Sequence, residues 1–331
     1  MIQRRRKQKR HFQLPVLFFL SGSGTIAPHM NLPGYKGMVS QMDSRPIGVF
    51  DSGLGGLTTV KKLMEYLPEE DIIYLGDTGR VPYGSRSRET IIKYALQDAA
   101  FLAGFNIKAM VIACNTACSV AYDILGRIYD MPVYEVIRAP SEAAAALTKN
   151  DKVGIIGTSA TIRSGAYEAA LKSIKPELRV IPVACPLFVP LVENGRTAGD
   201  DTAALIIAED YLSLLREARI DTLILGCTHY PLLYGVISKV MGPGVELVDS
   251  GTETAKLVAR DLLARDMLSP LSAGVSFSGP EPMDSVAEVT QRAGKGVVKY
   301  FVTDSTDGFS DLASRYLESD MLGIVEQVTL E

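Results

Sequence analysis

The chain has 331 residues, of which 47% are hydrophobic and 22% charged, with a formal net charge of −4. That length buries a sizeable core and accommodates two ordinary domains, and the composition excludes disordered and fibrous classes. Residues 1–10 carry six basic side chains and no acid, leaving about −10 for the remainder, so the body of the chain offers no general attraction for nucleic acid or an anionic membrane.

The first residues stand apart from the rest. Arg4 to Arg10 precede the apolar stretch Leu14 to Leu20 and a Ser/Gly segment, in the outline of a signal peptide. The apolar part is short, contains Pro15, and is far below the length of a membrane-spanning helix. The competing reading is a non-native or mis-started extension with a natural start near Met38 or Met42, and the thiol usage favours it. Residues 1–44 are therefore expected to be an extension, disordered or non-native. Four Cys in so long a chain fit reduced functional thiols better than a disulfide framework, and a cytoplasmic location with them.

From Arg45 onward strands and helices alternate with short loops. Ile47 to Phe50 reads as a strand running into the glycine turn Asp51-Ser52-Gly53-Leu54-Gly55-Gly56, and Leu57, Val60, Leu63, Met64 and Leu67 make one helical face. Asp71 to Asp77 is a second strand, followed by a loop with Pro82-Tyr83-Gly84 and a helix from about Arg88 to Gly104. Met110 to Ala113 is a third, ending in Cys114. Its helix shows Val120, Ile124 and Ile128 on one face and stops before Pro132, and Val133 to Ile137 is a fourth strand.

At Lys152 the pattern restarts. Val153 to Thr158 matches Ile47 to Ser52 at an offset of 106, Arg179 to Cys185 matches Asp71 to Asp77 at 108, and Leu223-Ile224-Leu225-Gly226-Cys227 matches the Cys114 strand at 113. Three landmarks in one order predict two similar α/β halves, with a ligand site between the carboxyl ends of the two sheets. Val245 to Asp249 and the helix after Thr252 would return the chain to the first half. The expected domains are 45–138 plus 247–331, and 139–246. Tyr300 to Val302, a helix near Phe309 to Leu317, and Ile324 to Leu330 complete the tail.

Several chemistries compete at these strand ends. The glycines at 53, 55 and 56 fit neither dinucleotide nor Walker spacing, although amides before a helix favour an anion such as a substrate carboxylate. Asp51 is an acid at a strand end, with N-capping as its ordinary role. Cys114, Cys118, Cys227 and His229 could be read as a soft metal site, but Cys118 falls a helical turn beyond Cys114, and no metal is expected. Cys118 and Cys185 read as small buried hydrophobes.

Cys227 and His229 could be the nucleophile and base of a thiol hydrolase. A hydrolase needs one thiol, however, and this chain offers two in mirrored positions. Proton removal from a stereocentre with delivery to the opposite face requires an acid and a base on either side, exchanging roles with direction. Two identical residues suit it, and a helix N-terminus lowering a thiol pKa would keep thiol and thiolate available near neutral pH. Asp51 and Asp77 on one side and Glu193 and His229 on the other could relay protons or hold an ammonium, with Asn115, Thr116, Thr228, Ser52 and the amides near Tyr83 and Gly84 as carboxylate donors.

The segments Ile47 to Leu57, Gly76-Asp77-Thr78 with Pro82-Tyr83-Gly84, Ala113-Cys114-Asn115-Thr116-Ala117, and Gly226 to Leu232 together resemble bacterial glutamate racemases. The resemblance implies cofactor-independent interconversion of L- and D-glutamate, supplying D-glutamate for peptidoglycan, in a homodimer whose subunits have two similar α/β domains related by pseudo-twofold symmetry, with the active site in the cleft between them. By motif it implies Cys114 and Cys227 as the two acid/bases, helped by Asp51, His229 and Glu193. It places substrate contacts at Asp51, Ser52, Tyr83, Gly84, Asn115, Thr116, Thr158, Thr161, Thr228 and His229. Cys118 and the basic extension depart from the pattern.

Overall fold

The computed structural model describes residues 43–270, 295–319 and 323–330; the extension predicted over residues 1–44 lies almost wholly outside them. The first sheet contains β1 (Ile47–Asp51), β2 (Ile72–Gly76), β3 (Ala109–Ile112), β4 (Val133–Glu135), β9 (Val298–Val302) and β10 (Val325–Gln327), in the order β10-β9-β2-β1-β3-β4. The second contains β5 (Lys152–Gly157), β6 (Arg179–Ala184), β7 (Thr222–Gly226) and β8 (Glu246–Asp249), in the order β6-β5-β7-β8. Every ladder among these strands is parallel. Parallel sheets covered by helices on both faces bury their strands completely, and β1, β2, β3 and β7 are buried at every position.

The two sheets repeat one winding. The chain runs from β1 outward to β2, then crosses back over β1 to β3 and β4; β5 to β8 do the same. This puts a switch of direction between β1 and β3 in one sheet and between β5 and β7 in the other, and crevices open there at the carboxyl ends of strands. Asp51 ends β1, Cys114 follows β3, Thr158 follows β5 and Cys227 follows β7. The sequence repeat therefore corresponds to a repeated strand order.

Three sequence expectations change. The strand expected to return the chain to the first half, Glu246–Asp249, instead pairs with β7 from Thr222↔Glu246 to Leu225↔Asp249, so the return begins at helix α10 (Ser250–Ala264). Asp249 caps that helix through the Gly251 amide at 2.9 Å. In α1 (Leu57–Tyr66), Leu57, Val60 and Leu63 are buried as expected, but Met64 lies at the edge and is exposed. In α3 (Asn115–Ile128) the buried stripe is Ala117, Cys118, Ala121 and Leu125, and Ile128 faces outward. Small residues let α3 lie close to its neighbours, so they occupy the inner face although larger apolar residues were available.

Candidate functional site

Cys114 occupies the N-cap of α3. Its sulfur accepts from the Ala117 amide at 3.4 Å, and its thiol donates to Ser52 Oγ at 3.5 Å. Cys227 follows β7, with its sulfur 3.9 Å from His229 Nδ1. Both cysteines are only 5% exposed, and all four cysteines are free.

Sequence reasoning expects a helix N-terminus to lower a thiol pKa, and here burial outweighs it. The Cys114 thiol is pushed up to about 12, first by burial and then by the Asp51 carboxylate, against the opposing pull of Ser52 and the Ala117 amide. Burial likewise pushes Cys227 up, opposed by the His229 backbone amide, while Cys114, Asp51 and Glu193 stand close enough to add to it. Asp51 is fully buried, and loss of water raises its carboxyl above the ordinary value despite His229 and the Gly53 amide.

The glycine turn brings the first sheet against the second. A Cβ on Gly55 would stand 2.2 Å from Thr228 Oγ1 and 2.5 Å from His229 Nδ1, and one on Gly56 2.5 Å from the Asp51 Cβ. Only glycine allows these approaches. Thr58 Oγ1 of α1 lies 2.9 Å from both the Gly55 and the Thr228 carbonyls, fixing the junction. On the other side, Thr116 Oγ1 is 2.9 Å from Thr158 Oγ1 and 3.2 Å from Thr161 Oγ1, and these two are 3.0 Å apart. Thr158 also caps α5 (Ser159–Ser164) and meets Gly84, where a Cβ would come within 2.9 Å of its own. Asn115 Nδ2 donates to Tyr167 Oη at 2.7 Å.

Three buried polar atoms in this region, Asp51 Oδ1, Asn115 Oδ1 and His229 Nε2, have no hydrogen-bond partner. Buried polar atoms are otherwise almost always paired, so these three are disposed for a polar ligand. Glu193 Oε1, at the end of α7 (Phe188–Glu193), is 3.5 Å from His229 Nε2, within ion-pair range but without hydrogen-bond alignment.

The predicted residues divide by location. Asp51, Ser52, Cys114, Asn115, Thr116, Thr158, Thr161, Cys227, Thr228 and His229 lie around the meeting of the two strand ends, with Gly84 against Thr158 and Glu193 beside His229. Asp77 does not face the cleft: Arg80, Tyr83 and Thr303 occupy its oxygens, so it is no proton relay or ammonium site. The Tyr83 hydroxyl is held in the same cluster, which leaves its backbone for any ligand. Cys118 turns to Glu135 Oε2 at 3.3 Å, away from the mixed Cys/His set considered for a metal. Among the described residues no group of three or more His, Cys, Asp or Glu is disposed to hold a metal ion.

Sequence reasoning missed four contacts. Tyr316 of α11 (Phe309–Leu317) meets the His229 ring edge-on with centroids 5.6 Å apart, Tyr74 Oη holds the Gly53 carbonyl at 2.6 Å, and Thr58 and Tyr167 act as described above. No local signal marks them, because each acts across a large sequence separation.

Fold and site together define a class: an α/β protein of two like-wound parallel sheets, carrying one buried thiol at the corresponding strand end of each. The sequence profile of the Asp/Glu/hydantoin racemase family matches residues 47–258. A glutamate racemase of Geobacter metallireducens is 47% identical over 290 residues, covering 88% of this chain and 98% of that protein. The crystal structure of a glutamate racemase isoform from Bacillus anthracis superposes with a TM-score of 0.75 at 36% identity, covering 86% of this chain and 98% of that one. The glutamate racemase of Francisella tularensis, solved in complex with D-glutamate, gives 0.74 at 37% identity over 88% and 99%. The chain belongs to the Asp/Glu/hydantoin racemase family, and the relatives it matches at this level are glutamate racemases.

Proposed function

We propose that this chain interconverts L- and D-glutamate by proton transfer between two thiols, without a cofactor, and so supplies D-glutamate for peptidoglycan. The observation that carries the reading is the placement of Cys114 and Cys227 at equivalent strand ends of two like-wound sheets, each buried with a polar partner. A thiolate on one side takes the α-proton, leaving a carbanion delocalised into the α-carboxylate; the opposite thiol gives its proton to the other face. In the reverse direction the two exchange roles.

The buried thiols favour the protonated state, so ionisation of one needs a positive charge brought alongside. The substrate's ammonium supplies it, with the unpartnered Asp51 oxygen as its acceptor. Thr228, Asn115, Thr116, Ser52 and the amides at Tyr83 and Gly84 are the carboxylate donors in this reading, with Thr158 and Thr161 on the opposite rim. Glu193 orients or exchanges protons with His229.

On the same reading the subunit has two lobes, 45–138 with the described residues from Ser250 onward and 139–249, and works as a homodimer in the cytoplasm. No described helix is long and apolar enough to cross a membrane. The deciding experiment is incubation of the purified chain in deuterated water with L-glutamate and separately with D-glutamate, without added cofactor. Deuterium at the α-carbon of both enantiomers and approach to a racemic mixture are expected. A stable acyl-thiol adduct with ammonia release would instead indicate a hydrolase, and faster turnover of aspartate a sister racemase.

A further inference from the structure

A cluster of buried groups behind the Tyr83–Ser85 turn has no part in the proton transfer described above. Asp77, Asp98 and Tyr83 are at most 1% exposed. Arg80 enters from the side: its Nε donates to Asp77 Oδ2 at 2.6 Å, its Nη2 to Asp98 Oδ1 at 2.8 Å, and its Nη1 to Gln97 Oε1 at 2.7 Å. Its guanidinium lies over the Tyr94 ring, 4.3 Å from the centroid. Thr303, from the segment after β9, donates to Asp77 Oδ1 at 2.7 Å.

The Tyr83 hydroxyl is the informative member. It is hydrogen-bonded to Asp77 Oδ2 and lies 2.9 Å from Asp98 Oδ2. A phenol has one hydrogen to give, and an ionised carboxylate can only accept. With both carboxylates ionised, one of the two contacts would set oxygen against oxygen in a buried site. The arrangement is satisfied when Asp98 carries a proton: Asp98 donates to Tyr83, and Tyr83 donates to an ionised Asp77 that also holds Arg80. The cluster is then neutral, with one guanidinium against one carboxylate. Burial and the Asp77 charge both push Asp98 upward, against Arg80 and Tyr83, with Asp51 adding to the rise from the end of β1.

This chain of bonds ends at a turn that faces the second sheet. Tyr83 anchors it, and Gly84 presses on Thr158 across the cleft. We propose that Asp98, held as a neutral carboxylic acid, is a positioning residue that fixes the backbone of Tyr83 and Gly84 for the substrate's carboxylate. The inference deepens the glutamate reading and rests on it for the identity of the ligand. Asp98 acts through Tyr83 and touches no reacting atom.

The test uses Asp98→Asn, Asp98→Ala and Tyr83→Phe in the full chain, with kcat and KM for both enantiomers and an infrared spectrum at neutral pH. An amide donates and accepts as a neutral acid does, so Asp98→Asn is expected to hold KM within about threefold of wild type. Asp98→Ala and Tyr83→Phe are expected to raise KM by about tenfold or more, with kcat changing less. The carbonyl stretch of a protonated carboxyl group should be present in wild type and lost in Asp98→Asn. Asp98→Asn as impaired as Asp98→Ala, or no such band, overturns the proposal, as does an unchanged KM in Tyr83→Phe. Should Asp98→Ala not fold, Tyr83→Phe and the spectra still decide. The infrared band is independent of turnover, so its absence is distinguishable from a wild-type chain inactive on glutamate.

Discussion

His229 holds its Nδ1 3.9 Å from the sulfur of Cys227. The same ring leaves Nε2 unpartnered beside Glu193 and is fixed by the edge-on contact with Tyr316. A ring so held can take or return a proton at the thiol without moving. His229→Asn is expected to lower kcat by about 10²-fold, the scale of a positioned acid/base, with a smaller change in KM. Rates measured from both enantiomers check this; an unchanged kcat would remove His229 from proton handling.

Removing one thiol should separate half-reactions. Cys114→Ser and Cys227→Ser are each expected to reduce racemisation by at least about 10²-fold. Exchange of the α-proton with solvent deuterium should persist from the enantiomer that faces the remaining thiol. Full racemase activity in either variant would falsify the two-base assignment. Because Cys114 is pushed up to about 12, its alkylation by iodoacetamide should be slow at neutral pH and rise about tenfold per pH unit as the thiolate fraction grows.

Asp51 links activity to stability with a definite sign. Its carboxyl lies above its unfolded value, so the folded state binds the proton more tightly. The contribution it makes is therefore favourable at low pH and is lost as pH rises through the window between unfolded and folded values. Asp51→Asn is expected to fold more stably than wild type at neutral pH, by roughly 1 kcal/mol, while losing racemisation. Melting curves across the acidic range should show the gap closing as pH falls; a gap that widens toward acid would contradict the direction.

Gly55 tests the junction between the sheets. Its missing side chain makes room for Thr228 and His229, so Gly55→Ala must displace one of them. A loss of about 1–3 kcal/mol of stability is expected, together with a fall in kcat. Denaturant unfolding and steady-state kinetics measure both, and a stable, fully active variant would show that the junction yields freely.

Cys118 separates packing from chemistry. Its thiol meets Glu135, whose carboxylate also accepts from the amides of Ile137 and Arg138 at 2.6 Å each. Cys118→Ala is expected to leave kcat within about twofold and to cost about 1 kcal/mol of stability. A large loss of activity with stability intact would instead place Cys118 in the reaction.

Much of this was legible in the residues. Apolar runs such as Ile47 to Phe50 and Leu223 to Leu225 announce strands buried on both faces, and the recurrence of their landmarks announces two like-wound sheets. Cys114 and Cys227 are visible because a cysteine directly after a buried strand falls at the mouth of an α/β crevice. Helix faces were less legible: the apolar residues Val120, Ile124 and Ile128 suggest one side of α3, but close packing selects the smaller Ala117, Cys118 and Ala121. The sequence points Val245 to Asp249 toward the first half, whereas the strand Glu246–Asp249 pairs with β7 in the second sheet, because its apolar character is the same in either.

The sequence by itself determined the strand ends that carry chemistry, because local periodicity and glycine placement decide where a chain turns. The tertiary structure alone decided the electrical state of those groups. Burial overrides the helix N-terminus at Cys114, Asp77 is drawn from the cleft into a closed set with Arg80 and Tyr83, and Tyr316 arrives at His229 from the far end of the chain. Such outcomes depend on desolvation and on contacts between distant residues, and neither is a property of any local stretch of sequence.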